Sequence, residues 1–417
     1  MPPALVNDAI PSISTRRYFF DWLRIIAFFI LIAYHVGMYY VSWDWHVKSP
    51  AAGSAIEPLM QLSSPWRLGL LFLISGAASA FMLQKTGAGS FARLRSWRLL
   101  PPLLFGMLVV VPPQAYFEVV EKVAYAGSYA DFMRLYLTGY HGFCKNNSCL
   151  DLPTWNHLWF VVYLWVYTLL LALIAGAFGR RLDALSRGLA RLLGGWKTIV
   201  LPVTLLGLIR IALLERYPST HALLGDWFNH ANYFTLFLLG ALLATRREFW
   251  TRLDALRWSG LGSALVCWAM LMIYYALPDS MLSDPAKAIF WRDAQRLVYA
   301  LCEWSAIVAA CGFAHRHLEF DGPARRYLTQ AVFPVYIVHQ TLIVVLAHSI
   351  KPAAVAPGVE AVVLIVLTIG FSFGIFEIVR RVPVLRPVFG LGKLDSAQPR
   401  LQAAGPAGMR TQSAQKQ

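Results

Sequence analysis

Ten apolar stretches punctuate the chain, at about 19–41, 66–84, 99–120, 157–178, 198–214, 231–245, 258–277, 293–314, 328–350 and 357–379. Most approach the roughly 20 residues that an α-helix needs to cross a bilayer. The pattern predicts an all-α polytopic membrane protein with about ten transmembrane helices. The longest connection runs at about 121–156, where 131–137 reads as a short interfacial helix. The connections at 179–197 and 245–257 alternate Arg with Leu and Trp, a pattern for short amphipathic helices lying on anionic lipid.

The first stretch breaks its own pattern with Asp21, Arg24 and His35. Ionisable groups inside a span cost roughly 2.5–3.5 kcal/mol each at the helix centre, and they are commonly retained for function. At 100° per residue the three share one stripe, with His35 about 16 Å along the axis from Arg24. The stripe reads as a site. Other polar positions interrupt later stretches. Ser75-Gly76 lies in the second, where small residues let a helix or a ligand approach closely. Arg95 and Arg98 stand one turn apart before Pro101, suited either to clamping phosphates or to anchoring the span. His157 opens the fourth stretch; Pro334, Tyr336, His339 and Gln340 fall in the ninth; Glu377 closes the tenth beside Arg380 and Arg381, with which it can simply pair. Each has a bland reading as well, as a headgroup-level or hydrogen-bonded core residue.

Composition agrees with the pattern: 58% of the 417 residues are hydrophobic and 14% charged, against about 25% charged in soluble domains. The net charge of +15 reflects topology rather than a nucleic-acid partner. Connections on the side of the N-terminus carry twenty-five Lys and Arg, and those on the other side eight. By the positive-inside rule both termini are cytoplasmic. The first stretch is too long and too charged for a cleaved signal peptide. Cys144 and Cys149 lie in an outward connection, where an oxidising compartment would permit a disulfide and free thiols are the alternative. Nothing in the residue pattern suggests a metal site. The segment 42–65 holds Trp45 and His46 among other aromatic and polar groups, suited either to interfacial anchoring or to binding a sugar. The organisation expected is a cytoplasmic segment 1–15, a transmembrane domain 16–390 and a disordered tail 391–417.

Taken together, Asp21-Trp-Leu-Arg24 with His35, Leu73-Ile-Ser75-Gly76, Arg95-x-x-Arg98-x-x-Pro101, His157-Leu-Trp159-Phe160 and Tyr336-Ile-Val-His339-Gln340 resemble the acyltransferase 3 family. The resemblance covers about residues 16–390. The segment Trp45-His46-Val47-Lys48-Ser49 looks like a branch associated with succinylation of periplasmic glucans. It implies a multi-pass protein of the bacterial inner membrane that moves an acetyl or succinyl group from cytoplasmic acyl-CoA to a glycan hydroxyl. His35 would then act as base or acyl carrier, with Asp21 orienting Arg24. Arg24, Arg95 and Arg98 would hold the phosphates of CoA near Ser75. Trp45, His46, His157, His339 and Glu377 are the candidates on the substrate side. Partners are then membrane lipids and the glycan acceptor. The rival reading is a transporter or flippase using the intramembrane Arg, His and Glu residues. The cytoplasmic Arg95/Arg98 pair separates the two, because a proton-driven carrier has no use for a phosphate clamp.

Overall fold

The computed structural model describes residues 17–145 and 148–392. The segment 1–15 and nearly all of the tail from 391 therefore lie outside the described residues.

The chain begins with α1 (Tyr18–Tyr40), a continuous helix, followed by the single turn α2 (Glu57–Gln61). Next come α3 (Arg67–Thr86) and α4 (Ala88–Phe105), joined by Gly87, whose φ of 75° suits a residue without a Cβ. A π-helical turn at Gly106–Val110 leads into α5 (Pro112–Val123), where Pro112 takes a first-turn position in which its missing N–H costs little. The helix α6 (Tyr129–Leu137) matches the short interfacial helix read from the sequence. Its N-cap Ser128 accepts a hydrogen bond from the Asp131 amide. Two-residue strands β1 (Cys144–Lys145) and β2 (Ser148–Cys149) pair antiparallel, closed by a Cys144–Cys149 disulfide.

The remaining helices are α7 (Trp159–Phe178), α8 (Arg180–Leu192), α9 (Lys197–Leu213), α10 (Trp227–Leu243) and α11 (Arg247–Tyr275). After them come α12 (Asp279–Leu282), α13 (Pro285–His317), α14 (Pro323–Ile350), α15 (Pro357–Arg381) and α16 (Leu385–Val388). Among the described residues eight helical units are by themselves long and apolar enough to cross a membrane, with α4 and α5 forming one of them. The helix α9 passes together with α8, to which it is bent by 108°, while α10 is a 17-residue helix packed against α3. The protein is an all-α polytopic membrane protein, and these ten units coincide with the ten apolar stretches.

Two boundaries differ from the sequence reading by three turns, more than any other. The third unit starts at Ala88, not near 99, because Phe91 is fully buried and draws the helix back by three turns. Arg95 and Arg98 thus lie inside α4 rather than ahead of it. The 245–257 connection is not a separate surface helix: Phe249, Trp250 and Leu253 are buried, and α11 runs through them without a break. The other amphipathic helix is present as α8.

Close backbone approach fixes the frame around the site. A Cβ on Gly76 would stand 1.9 Å from the Phe237 carbonyl oxygen, and one on Gly240 would stand 1.9 Å from that of Leu73. The helices α3 and α10 therefore touch backbone to backbone through a reciprocal pair of glycines, the small-residue packing typical of membrane bundles. One apolar core gathers α1, α4, α7 and α14; a second gathers α1, α3, α10, α11 and α13. The first helix belongs to both, which holds its polar stripe rigid.

Candidate active site

A cavity of about 1000 Å³ runs between α1, α3, α4, α7 and α14. At one end its wall carries Arg17, Arg24, Lys85, Arg95 and Arg98; at the other it carries Asp44, Trp45, His46 and His221. Asp21, Arg24 and His35 all line it, so the stripe predicted on α1 faces one continuous space. Ser75 lines it as well, while its neighbour Gly76 serves the α3–α10 contact.

At the Arg-rich end, Arg24 Nη2 donates to Asp21 Oδ1 at 2.5 Å. The other oxygen of Asp21 accepts from Arg325 at the start of α14, so one buried carboxylate ties α1 to α14. Arg325 in turn pairs with Asp321 in the α13–α14 connection. Arg24 Nε and Arg95 Nε are buried without hydrogen-bond partners. This mouth thus holds more cationic donors than the described residues satisfy.

In the last third of α1, His35 Nδ1 lies 2.8 Å from His339 Nε2. His339 is fully buried, and its Nδ1 lies 2.6 Å from the Tyr336 carbonyl oxygen. A carbonyl can only accept, so His339 Nδ1 carries the proton. In the neutral ring His339 Nε2 then accepts, and the bridging proton belongs to His35 Nδ1. His35 Nε2 is left with its lone pair and no hydrogen-bond partner among the described residues, in a side chain that lines the cavity. The helix α14 sets this tautomer; α1 alone does not.

His157 is buried between α7 and α14, where its Nε2 donates to the Ile337 carbonyl oxygen at 3.1 Å and its Nδ1 faces Gln114 Nε2 at 3.4 Å. The Tyr336 hydroxyl donates back to the His157 carbonyl. Both ring nitrogens of His157 are therefore engaged. Towards the opposite end His46 Nδ1 meets Glu118 Oε2 at 2.5 Å and its Nε2 meets Gln340 Nε2 at 2.9 Å. Glu118 also takes Lys122 Nζ at 2.8 Å. Trp45 is nearly buried on the cavity wall. Of the two loop histidines there, His221 has its pKa lowered, chiefly by burial.

The structure does not bring Glu377 to the cavity. Its carboxylate accepts from Tyr327 Oη at 2.8 Å and pairs with Arg380 at 3.0 Å and Arg381 at 2.8 Å. It closes the basic end of α15, as its neighbours in the sequence allow. Conversely, Arg67, Gln114, Glu118 and Arg325 stand at or next to the cavity and were not singled out from the sequence. Glu118 falls within an apolar stretch and Arg67 at the edge of one, so the rule that flagged Asp21 and Arg24 would have flagged them too. Gln114 carries no charge and offers no such signal.

Its family makes this chain a membrane acyltransferase. Residues 17–377 match the family model described as an acyltransferase domain, and the chain belongs to that family, the acyltransferase 3 family. It is 24% identical over 386 residues to the glucans biosynthesis protein C of Escherichia coli O6:K15:H31 (strain 536 / UPEC), a match covering 91% of this chain and 95% of that one. The glucans biosynthesis protein C of Escherichia coli (strain K12) is 23% identical with the same coverage. No solved structure matches the chain.

Proposed function

We propose that this protein transfers an acetyl or succinyl group from cytoplasmic acyl-CoA to a hydroxyl of a periplasmic or cell-envelope glycan, in a bacterial inner membrane. The observation that carries this reading is the exposed lone pair of His35 Nε2, held by the His35–His339–Tyr336 chain inside a cavity that reaches both ends of the bundle. The names of the relatives supply the glycan class.

CoA binds at the Arg-rich mouth, its phosphates held by Arg24, Arg95 and Arg98 through charge-assisted bonds, and its pantetheine arm follows α1 for about 16 Å to His35. The acceptor enters from the opposite end, past Trp45 and His46. His35 Nε2 takes the hydroxyl proton as the oxygen attacks the thioester carbon. The tetrahedral centre collapses, a C–O bond replacing the C–S bond. The proton on Nε2 passes to the departing sulfur, leaving an ester and a free thiol. During the step His35 is a cation, and its Nδ1–H remains donated to His339 Nε2, which fixes the ring. Asp21 holds Arg24, while His157 and Gln114 keep α7 and α14 in register behind His339.

The test is reconstitution in proteoliposomes with acyl-CoA outside the Arg-rich face and a glucan acceptor on the other, product read by mass spectrometry. Wild-type protein adds an acyl mass, and His35→Ala, inserted and folded, lowers the rate by about 100-fold or more. Undiminished transfer by that variant would refute the role of His35.

A further inference from the structure

The connection between α9 and α10 lies at the cavity end that holds Trp45 and His46, and it brings Thr220 and His221 to the cavity wall. His221 is held there by both of its backbone groups. Its amide donates to Asp226 Oδ2 at 2.9 Å, and its carbonyl oxygen accepts from Trp155 Nε1 at 3.2 Å. Asp226 is fully buried, and the same oxygen takes Asn229 Nδ2 at 2.8 Å and the Tyr163 hydroxyl at 2.6 Å. The backbone imposed on His221 is left-handed, with φ at 58°, a conformation that is costly for a residue with a Cβ. A buried carboxylate and a strained backbone thus fix the direction of one side chain.

The imidazole lies flat on Trp159, the first residue of α7, with ring centroids 4.2 Å apart and planes at 23°. One face of the ring is covered by that stack, but its edge is open. Nε2 has only a long 3.4 Å contact with Ser219 Oγ, and Nδ1 has no hydrogen-bond partner among the described residues. Burial lowers the pKa of His221, which keeps the ring neutral at physiological pH. A neutral imidazole offers one donor and one acceptor in its plane. A sugar hydroxyl is itself both donor and acceptor, so it can meet either nitrogen. The neighbours of His221 on this wall, Thr154, Asn156, Trp159 and Thr220, carry no charge. Unlike the arginine mouth, the wall suits an uncharged, hydroxyl-rich ligand.

We propose that His221 binds the glycan acceptor, with its ring edge hydrogen-bonded to a sugar hydroxyl and its face backed by Trp159. Asp226 and Trp155 are the positioning residues that hold it. The α9–α10 connection thereby joins Trp45 and His46 as part of the acceptor site. This rests on the acyl-transfer reading above and adds to it a segment that the sequence motifs leave out.

Steady-state kinetics in proteoliposomes separate the two substrates. His221→Phe keeps a ring to stack on Trp159 and removes both hydrogen-bonding nitrogens. It raises KM for the glucan about 3- to 10-fold, the loss expected of one neutral hydrogen bond. Meanwhile kcat and KM for acyl-CoA stay at their wild-type values, and the latter doubles as the folding control. His221→Asn tolerates the left-handed backbone and keeps a donor and an acceptor on a shorter side chain, so it falls between. An unchanged KM for the glucan in His221→Phe overturns the assignment, and so does a rise in both KM values together. Equilibrium dialysis of the same glucan against the purified full-length protein, without acyl-CoA, reads the contact without turnover. Wild-type protein that binds no glucan overturns the site. Binding weakened by His221→Phe in a protein that acylates no hydroxyl would sink the proposed function and leave the site standing. Acylation whose KM for the glucan ignores His221 would do the reverse.

Discussion

At the scale of single residues, the proposed chemistry depends on which nitrogen of His35 faces the cavity, and that is decided two residues away. The Tyr336 carbonyl fixes the proton on His339, and His339 fixes the proton on His35. Replacing His339 by Gln keeps a donor and an acceptor but breaks the order in which they are presented. We predict that His339→Gln lowers kcat about 10- to 100-fold, since a positioned base contributes about 10²–10⁴, with little change in KM for acyl-CoA. Steady-state kinetics would check it, and a change confined to KM would count against the relay. Arg98→Ala should show the opposite split, with KM for acyl-CoA raised and kcat kept. The stripe of Asp21, Arg24 and His35 was legible in the sequence because charge in an apolar helix is conspicuous and helical spacing sets which residues share a face. The tautomer was not legible, because it is set by a carbonyl group, which every residue has.

At the scale of elements, two joints position the site. One is the glycine contact of α3 with α10. Gly76→Leu has no room against the Phe237 carbonyl, so the helices must separate. We expect a loss of stability of about 1–3 kcal/mol or more from overpacking, seen as a lower unfolding temperature in detergent. Unchanged stability would mean that the approach is looser than described. The other joint is the ion-pair chain from α1 through Asp21 and Arg325 to Asp321. Hydrogen bonds from Arg326 and Arg325 hold the Asp321 carboxyl well below the usual carboxylate range. A carboxyl whose pKa is depressed by folding stabilises the folded state above its unfolded pKa, and that contribution fades as the pH falls through the folded value. Acidification from about pH 4 downward should therefore weaken this joint, while pH 5–8 leaves it untouched. Asp321→Asn should flatten the acid limb of an unfolding scan; parallel limbs for the variant and the wild type would argue otherwise. The sequence located the helices well but misjudged the starts of α4 and α11. There the boundary is drawn by buried aromatic side chains, Phe91 and Trp250, amid polar neighbours that mimic a surface helix.

At the scale of the whole molecule, a cavity with cationic donors at one end and mixed aromatic, acidic and imidazole groups at the other suits two substrates arriving from opposite sides. The direction depends on topology. A cysteine placed by Gly188→Cys in α8 should react with an impermeant maleimide only from the cytoplasmic side, and one placed by Lys287→Cys in α13 only from the outside. The reverse pattern would invert the proposed donor and acceptor mouths.

By itself the sequence determined the fold class, the number of apolar units and the residues that carry charge into the bilayer, because these follow from hydropathy and helical period, which are local. It also carried the family through short motifs in a fixed order. Helix packing alone set that His35 faces His339 across 304 positions, that Glu377 turns away to its own basic neighbours, and that Arg67 is buried with no ion pair among the described residues. Those outcomes depend on which helix packs against which. A side chain's partner in a bundle is set by contacts between helices distant in sequence, and local pattern does not encode them.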